Sequence, residues 1–213
     1  MSNKRKVPKQ QRGHEAERKI IEAALTIFSE KSYAGARVSD IVTLSGSSTG
    51  SFYFRFKSKE ALLDYILDQY IETCRAAIAE MTKNTPASFG ELIYRTAYRY
   101  VEMVEMNKGF FHTINEVSIS NPQVWNRLQD LSRELSFAII EWGRPFSSEV
   151  KAPDYERAVS QATQLMGGWL ANRASHRTGT HPVGGKVITN MLYRAVMGVL
   201  QVHPVPDCSD FEN

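Results

Sequence analysis

Residues 37–60 read RVSDIVTLSGSSTGSFYFRFKSKE, and the reading of this stretch decides the fold. Val38, Ile41 and Val42 set apolar side chains on one face of a short helix. Ser45-Gly46-Ser47 breaks that spacing, because glycine takes a left-handed turn position without steric cost. Ser48 is placed to cap a second short helix by accepting a backbone N–H, and Ser58 to cap a third, longer one that begins at Lys59. Two helices joined by a three- or four-residue turn with a central glycine form a helix-turn-helix, whose second helix lies in the DNA major groove.

That second helix is expected over residues 48–54. Ser48, Thr49, Ser51, Phe52 and Tyr53 are read as its exposed side chains, with Gly50 allowing close backbone approach. Hydroxyls bond to several base edges, and apolar groups touch thymine methyls. Arg55 at the helix end suits either a bidentate contact to guanine or a phosphate, and Lys59 sits at a helix N-terminus that favours an anion. With Arg37, these residues make the candidate DNA-contacting set.

The charge distribution agrees with a nucleic-acid surface at this end of the chain. Residues 1–65 carry twelve Lys and Arg against seven Asp and Glu, a balance of +5, while all 213 residues total +3, leaving −2 for the remainder. Residues 1–13 hold Lys4, Arg5, Lys6, Lys9 and Arg12 without an acid, so they are read as a flexible basic arm. Such an arm is either a solubilising tail or a salt-sensitive grip on phosphates or the minor groove. Ile20, Ile21, Ala24, Ile27 and Phe28 then form the stripe of a supporting helix over residues 15–31.

At this point the chain resembles the DNA-binding domain of TetR-family transcriptional regulators. The resemblance spans residues 15–63 and rests on Ile21, Ala24, Phe28, Tyr33, Val38, Asp40, Ile41, Gly46, Ser48, Gly50, Tyr53, Phe56, Lys59, Glu60 and Leu62. Its most specific part is the ending YFRFKSKEALL, residues 53–63. Ser32 stands where the family has a helix-ending Gly, Ala36-Arg37 where it has a capping Thr or Ser, Ser47 for a Val, and Arg55 for a Tyr or His. The resemblance implies phosphate contacts from the positions of Tyr53 and Lys59. It also implies a small-molecule effector pocket, a homodimer packed as a four-helix bundle, and double-stranded DNA with a palindromic operator as the partner. Release of DNA would follow movement of the helix that starts at Lys59.

Two other functions compete. Gly46-Ser47-Ser48-Thr49-Gly50 fits the G-x-S-x-G elbow of serine hydrolases, but that elbow needs a buried strand before it, and residues 38–44 are amphipathic at helical spacing. A nonspecific nucleic-acid-binding protein driven by the basic arm is the other. No apolar run reaches the length of a membrane span, so no membrane partner and a cytoplasmic location are expected. Cys74 and Cys208 stand alone without metal spacing and are read as reduced. No metal, catalytic residue or cofactor is expected.

The rest of the chain shows helical spacing throughout and no alternating strand pattern. The fold is therefore expected to be all-α with about nine helices: an arm (1–13), a three-helix DNA-binding domain (14–60), a larger helical effector-binding and dimerisation domain (61–203), and a frayed tail (204–213). Large rings and Met crowd residues 89–142, mostly as core, but enough of them have polar tips to build an apolar cavity with a few oriented hydrogen bonds. The pocket is placed among Tyr94, Tyr98, Phe111, His112, Glu116, Trp125 and Trp169. His112 and Glu116, four apart, share a helix face, as structural hydrogen-bond partners or as polar anchors for an effector; a metal would need a further ligand. Two apolar sides, one through Ala158, Ala162, Leu165, Met166, Trp169 and Leu170 and one through Ile188, Met191, Leu192, Ala195, Val196, Val199 and Leu200, are assigned to the dimer face.

Overall fold

The computed structural model describes residues 9–81, 83–175 and 185–211, with the side chains of 9–12 and 108 left out. The first eight residues of the basic arm and residues 181–184, whose His-Pro-Val-Gly sequence reads as a loop, lie outside the described residues. Among those described there are nine α-helices and no strand. They are α1 (Lys9–Gly35), α2 (Val38–Ser45), α3 (Thr49–Arg55), α4 (Lys59–Met81), α5 (Phe89–Met106), α6 (Lys108–Ser120), α7 (Pro122–Gly143), α8 (Tyr155–Ser175) and α9 (Gly185–Val199). Short 3-10 turns cover Arg144–Glu149 and Cys208–Phe211.

The chain divides into two compact units, 1–70 and 71–213, with the division inside α4. In the first unit, Ile20, Ala24, Phe28, Ile41, Phe52, Leu62 and Leu67 are fully buried, the small core that the apolar stripes of four helices jointly create. Tyr65 on α4 donates its hydroxyl to Glu17 of α1 at 2.8 Å.

α1 does not run unbroken. Ser32 sits at φ 64°, ψ 161°, a conformation open to glycine and strained for a residue with a Cβ. That is the physical reason a glycine is the natural occupant here. Ser32 offsets part of the strain by accepting the Gly35 N–H on its hydroxyl at 3.3 Å. Ser32→Gly is expected to relieve the strain and raise stability by about 1 kcal/mol, after allowing for glycine's greater unfolded-state entropy and the lost hydroxyl bond. Thermal melting would show it; an unchanged or lower midpoint would mean the hydroxyl bond outweighs the strain.

In the second unit α5 lies along α9, while α8 packs on α6, α7 and α9. Phe89, Ile93, Ala97, Ile139, Val159, Ala162, Met166, Tyr193, Val196 and Met197 form its core. The last helix stops at Val199, and Gln201 turns the chain with φ 54°. The segment beyond it, read from the sequence as a frayed tail, is packed instead. Val202 and Cys208 are buried, and the Phe211 ring lies 5.5 Å from Tyr94 and 5.9 Å from Tyr193. Apolar residues separated by polar ones give no periodic signal, so only the packed structure reveals this strap.

Candidate nucleic-acid interface and cavity

Arg37 is the extended N-cap residue of α2 (φ −110°, ψ 149°) and its side chain is exposed. A guanidinium accepts nothing, so the usual capping hydroxyl is missing, yet the helix still opens. Asp40 supplies the return half of the cap by accepting the Arg37 N–H at 3.1 Å, and Lys31 pairs with its other oxygen at 2.9 Å. The Lys31 bond first, then the Arg37 N–H, holds the Asp40 carboxyl below its usual range. α2 ends at Gly46 with φ 65°, whose N–H and that of Ser47 bond back to the Thr43 and Val42 carbonyls.

Ser48 then caps α3, accepting the Ser51 N–H at 3.1 Å. Its hydroxyl stands at a helix-to-helix turn, with α2 and not a strand before it, so the nucleophile-elbow geometry is absent. α3 turns Phe52 and Phe56 inward and Thr49, Gly50, Tyr53 and Phe54 outward. This corrects one expectation outright: Phe52 has 0% exposure, its ring 5.3 Å from Tyr53 and 5.9 Å from Phe56, and it offers nothing to DNA. Phe54, passed over in the sequence, is 86% exposed.

Two of the three cations in residues 55–59, Arg55 and Lys59, are tied down, while Lys57 is exposed. Arg55 donates to the Ser51 carbonyl and hydroxyl, both at 2.9 Å, and to the Gly13 carbonyl at 3.3 Å. Ser51 is thereby half-buried beneath it. Lys59 donates to the Tyr33 carbonyl at 2.7 Å and the Ala36 carbonyl at 2.9 Å, with its ammonium 4.4 Å from the Tyr33 ring centre. It closes the carbonyl end of α1, a bond between positions 26 residues apart that no local pattern announces.

Residues 20–66 match the sequence profile of the bacterial regulatory proteins of the tetR family. The chain is 23% identical over 146 residues to IcaR of Staphylococcus aureus strain Newman, the HTH-type negative transcriptional regulator of the biofilm operon icaADBC; the match covers 66% of this chain and 76% of IcaR. Its fold is that of the tetR-family regulatory protein of Rhodococcus RHA1, with a TM-score of 0.68 at 20% identity, covering 90% of this chain and 98% of that one. The TetR-family regulator PfmR of Thermus thermophilus gives a TM-score of 0.65 at 21% identity, covering 84% and 97%.

The chain resembles TetR-family regulators in its fold, and its residues 20–66 match the family's DNA-binding domain. It is a DNA-binding transcriptional regulator, and its α2–α3 pair is the helix-turn-helix.

The larger unit contains a half-open cleft of about 1230 Å³. The second half of α4, α5, the start of α9, Trp142 and Phe211 line it. Of the seven residues expected in a pocket, Tyr94 and Tyr98 reach this cleft; Phe111, His112, Glu116, Trp125 and Trp169 do not line it. Phe111 is core, edge-on to Phe110 at 5.4 Å, and His112 Nδ1 lies 3.1 Å from the Ser175 carbonyl, joining α6 to α8. Glu116 and Trp125 are half-buried, and Trp169 faces outward with Arg173 5.8 Å from its ring centre. Among the described residues no three His, Cys, Asp or Glu side chains gather to hold a metal.

Sequence reasoning missed Met81, Met103, Met106, Trp142 and Phe211 as wall residues. Charges around the cleft are largely paired: Arg95 with Glu91 at 2.5 Å, Arg99 with Glu102 at 3.1 Å, and Glu105 with Arg173 at 3.4 Å. The Tyr98 hydroxyl is bonded to Glu102, which raises it above the usual phenol range. Behind the cleft, burial pushes the Tyr100 hydroxyl up to about 12, with Cys74 beside it. Among the described residues no helix is long and apolar enough to cross a membrane.

Proposed function

We propose that this regulator is a homodimeric repressor working in the cytoplasm, released from a palindromic operator when a small molecule occupies the cleft of the larger unit. The observation that carries the reading is the α3 face formed by Thr49, Gly50, Tyr53 and Phe54, free on a capped helix-turn-helix at the basic end of the chain. IcaR, a negative regulator by its description, supports the sign of regulation. Selection from a random duplex pool tests it: inverted half-sites about 34 Å apart, one helical turn, are expected. Retention of all duplexes alike would favour nonspecific packaging.

Methionines and rings around a cleft of paired charges suit an apolar or planar effector with one or two hydrogen-bonding groups. Tyr98, exposed on α5 with its O–H given to Glu102, is the best-placed polar group, its oxygen able to accept from an effector. Effector and operator must weaken each other by the same factor, since both act on one equilibrium.

The dimer face is narrower than the sequence suggests. Ala158, Ala162, Met166 and Leu170 of α8, and Ile188, Leu192, Val196 and Leu200, are consumed by the protomer's own core. What remains outward is Leu165, Gly168 and Trp169 on α8, and Val187, Met191, Ala195 and Gly198 on α9. Space above Gly168 and Gly198 is open, so a second copy could approach these helices closely. Leu165→Glu with Met191→Glu is expected to give a folded monomer by analytical ultracentrifugation and to lose tight operator binding; a dimer that survives both would move the interface elsewhere.

A further inference from the structure

The outward face of α3 is chemically one-sided. Residues 49, 50, 53 and 54 are exposed, while 52 and 56 point into the core and 51 and 55 are half-buried in mutual hydrogen bonds. The face therefore presents two hydroxyls, a notch and two rings, of which only that of Phe54 lacks a polar tip. It holds no amide, and its nearest guanidinium is spent on Ser51 and on the Gly13 carbonyl. A bidentate donor to guanine or a bidentate partner for adenine is missing from it. The notch is real space: a Cβ at Gly50 would meet only the Ser48 hydroxyl oxygen, at 4.0 Å. Phe54 lies one turn along the same face, four residues on, so its ring flanks the place where backbone comes closest to a base-pair edge.

Phe54 is 86% and Tyr53 51% exposed side by side, with the Arg55 guanidinium 5.9 Å from the Phe54 ring centre, so apolar ring surface is concentrated on the one helix face read as entering a groove. In the major groove the one apolar group at a base edge is the 5-methyl of thymine. The geometry points to Phe54 as the specificity-determining residue of this helix, reading a thymine 5-methyl beside the Gly50 notch in each half-site. The inference rests on the reading that α3 enters a major groove, and adds to it which base is read and by what chemistry. Arg55 then serves to hold Ser51 and the start of α1, which fixes the pitch at which Phe54 is presented.

The test uses the full-length protein and the duplex selected from the random pool. Each thymine is replaced in turn by deoxyuridine, which removes the methyl and leaves the pairing and every hydrogen-bonding group in place. At one thymine per half-site the wild-type protein is expected to lose about fourfold in affinity, the worth of one buried methyl. Phe54→Ala, at a site too exposed to unsettle the fold, is expected to bind the thymine duplex several-fold more weakly and to be indifferent to deoxyuridine at that position. Phe54→Leu, which keeps an apolar tip, should retain part of the discrimination. A methyl dependence that persists in Phe54→Ala, or none at any position on a duplex that wild type binds tightly, would overturn the assignment while leaving DNA binding intact. Failure to retain any duplex from the pool would remove the groove-binding reading itself, and this one with it.

Discussion

Lys59→Ala is expected to lower the melting temperature of the protein while leaving the salt dependence of operator binding unchanged. The ammonium closes α1 by bonding to the Tyr33 and Ala36 carbonyls at 2.7 and 2.9 Å, over the Tyr33 ring. Two charge-assisted bonds and a cation–ring contact are lost together, offset by the entropy of a freed lysine and by water reaching the carbonyls, for a net loss of about 2 kcal/mol. The first unit is small, so about 2 kcal/mol is a large part of its stability. DNA affinity should fall because the helix-turn-helix is less populated, equally on all sequences.

A phosphate-gripping Lys59 predicts something else. Each phosphate contact contributes about 0.9 to the slope of log affinity against log salt, so a dimer losing two would flatten by about 2. Titrations between low and moderate salt separate the two roles. A flattened slope with an unchanged melting temperature would show that Lys59 leaves its carbonyls for DNA, and the clamp assigned here would be wrong.

Gly143→Ala is expected to destabilise the larger unit by about 2 kcal/mol, with a fall of several degrees in melting temperature. A Cβ there would stand 2.5 Å from the Phe89 ring and 2.6 Å from the Tyr155 hydroxyl. Neither neighbour yields easily. Phe89 is fully buried and its N–H is held by Glu149 at 3.2 Å, while Tyr155 donates to the Ile140 carbonyl at 3.0 Å and is pushed up to about 12 by burial. Position 143 ends α7, so alanine's better helix propensity returns little. Tyr155→Phe in the same chain should restore part of the loss, since it removes one of the two clashes. A melting temperature equal to wild type would show that the corner formed by α5, α7 and α8 is looser than its geometry indicates.

Much of this protein is legible from the sequence by itself. The all-α class, the positions of the helices and the helix-turn-helix follow from local signals: three- and four-residue apolar spacing, Gly46 at φ 65°, and the Ser48 cap. Each of these is settled within one or two turns of chain, and that is why residue order alone reveals it. The face of α3 is different. Seven residues are too few for a period to set the phase, and Phe52, Tyr53 and Phe54 are all aromatic, so only packing against the core shows that Phe52 turns in and Phe54 out. Beyond its local bonds to Ser51, Arg55 reaches Gly13, 42 residues away, and Lys59 reaches Tyr33, 26 away, contacts that no spacing encodes. The cleft takes Tyr94 and Tyr98 but is completed by Phe211 from the far end of the chain, where polar residues hide the apolar contacts. Local chemistry thus determined which segments are helices; tertiary structure decided which of their side chains remain available to DNA, effector or a second copy, because burial is settled by distant neighbours.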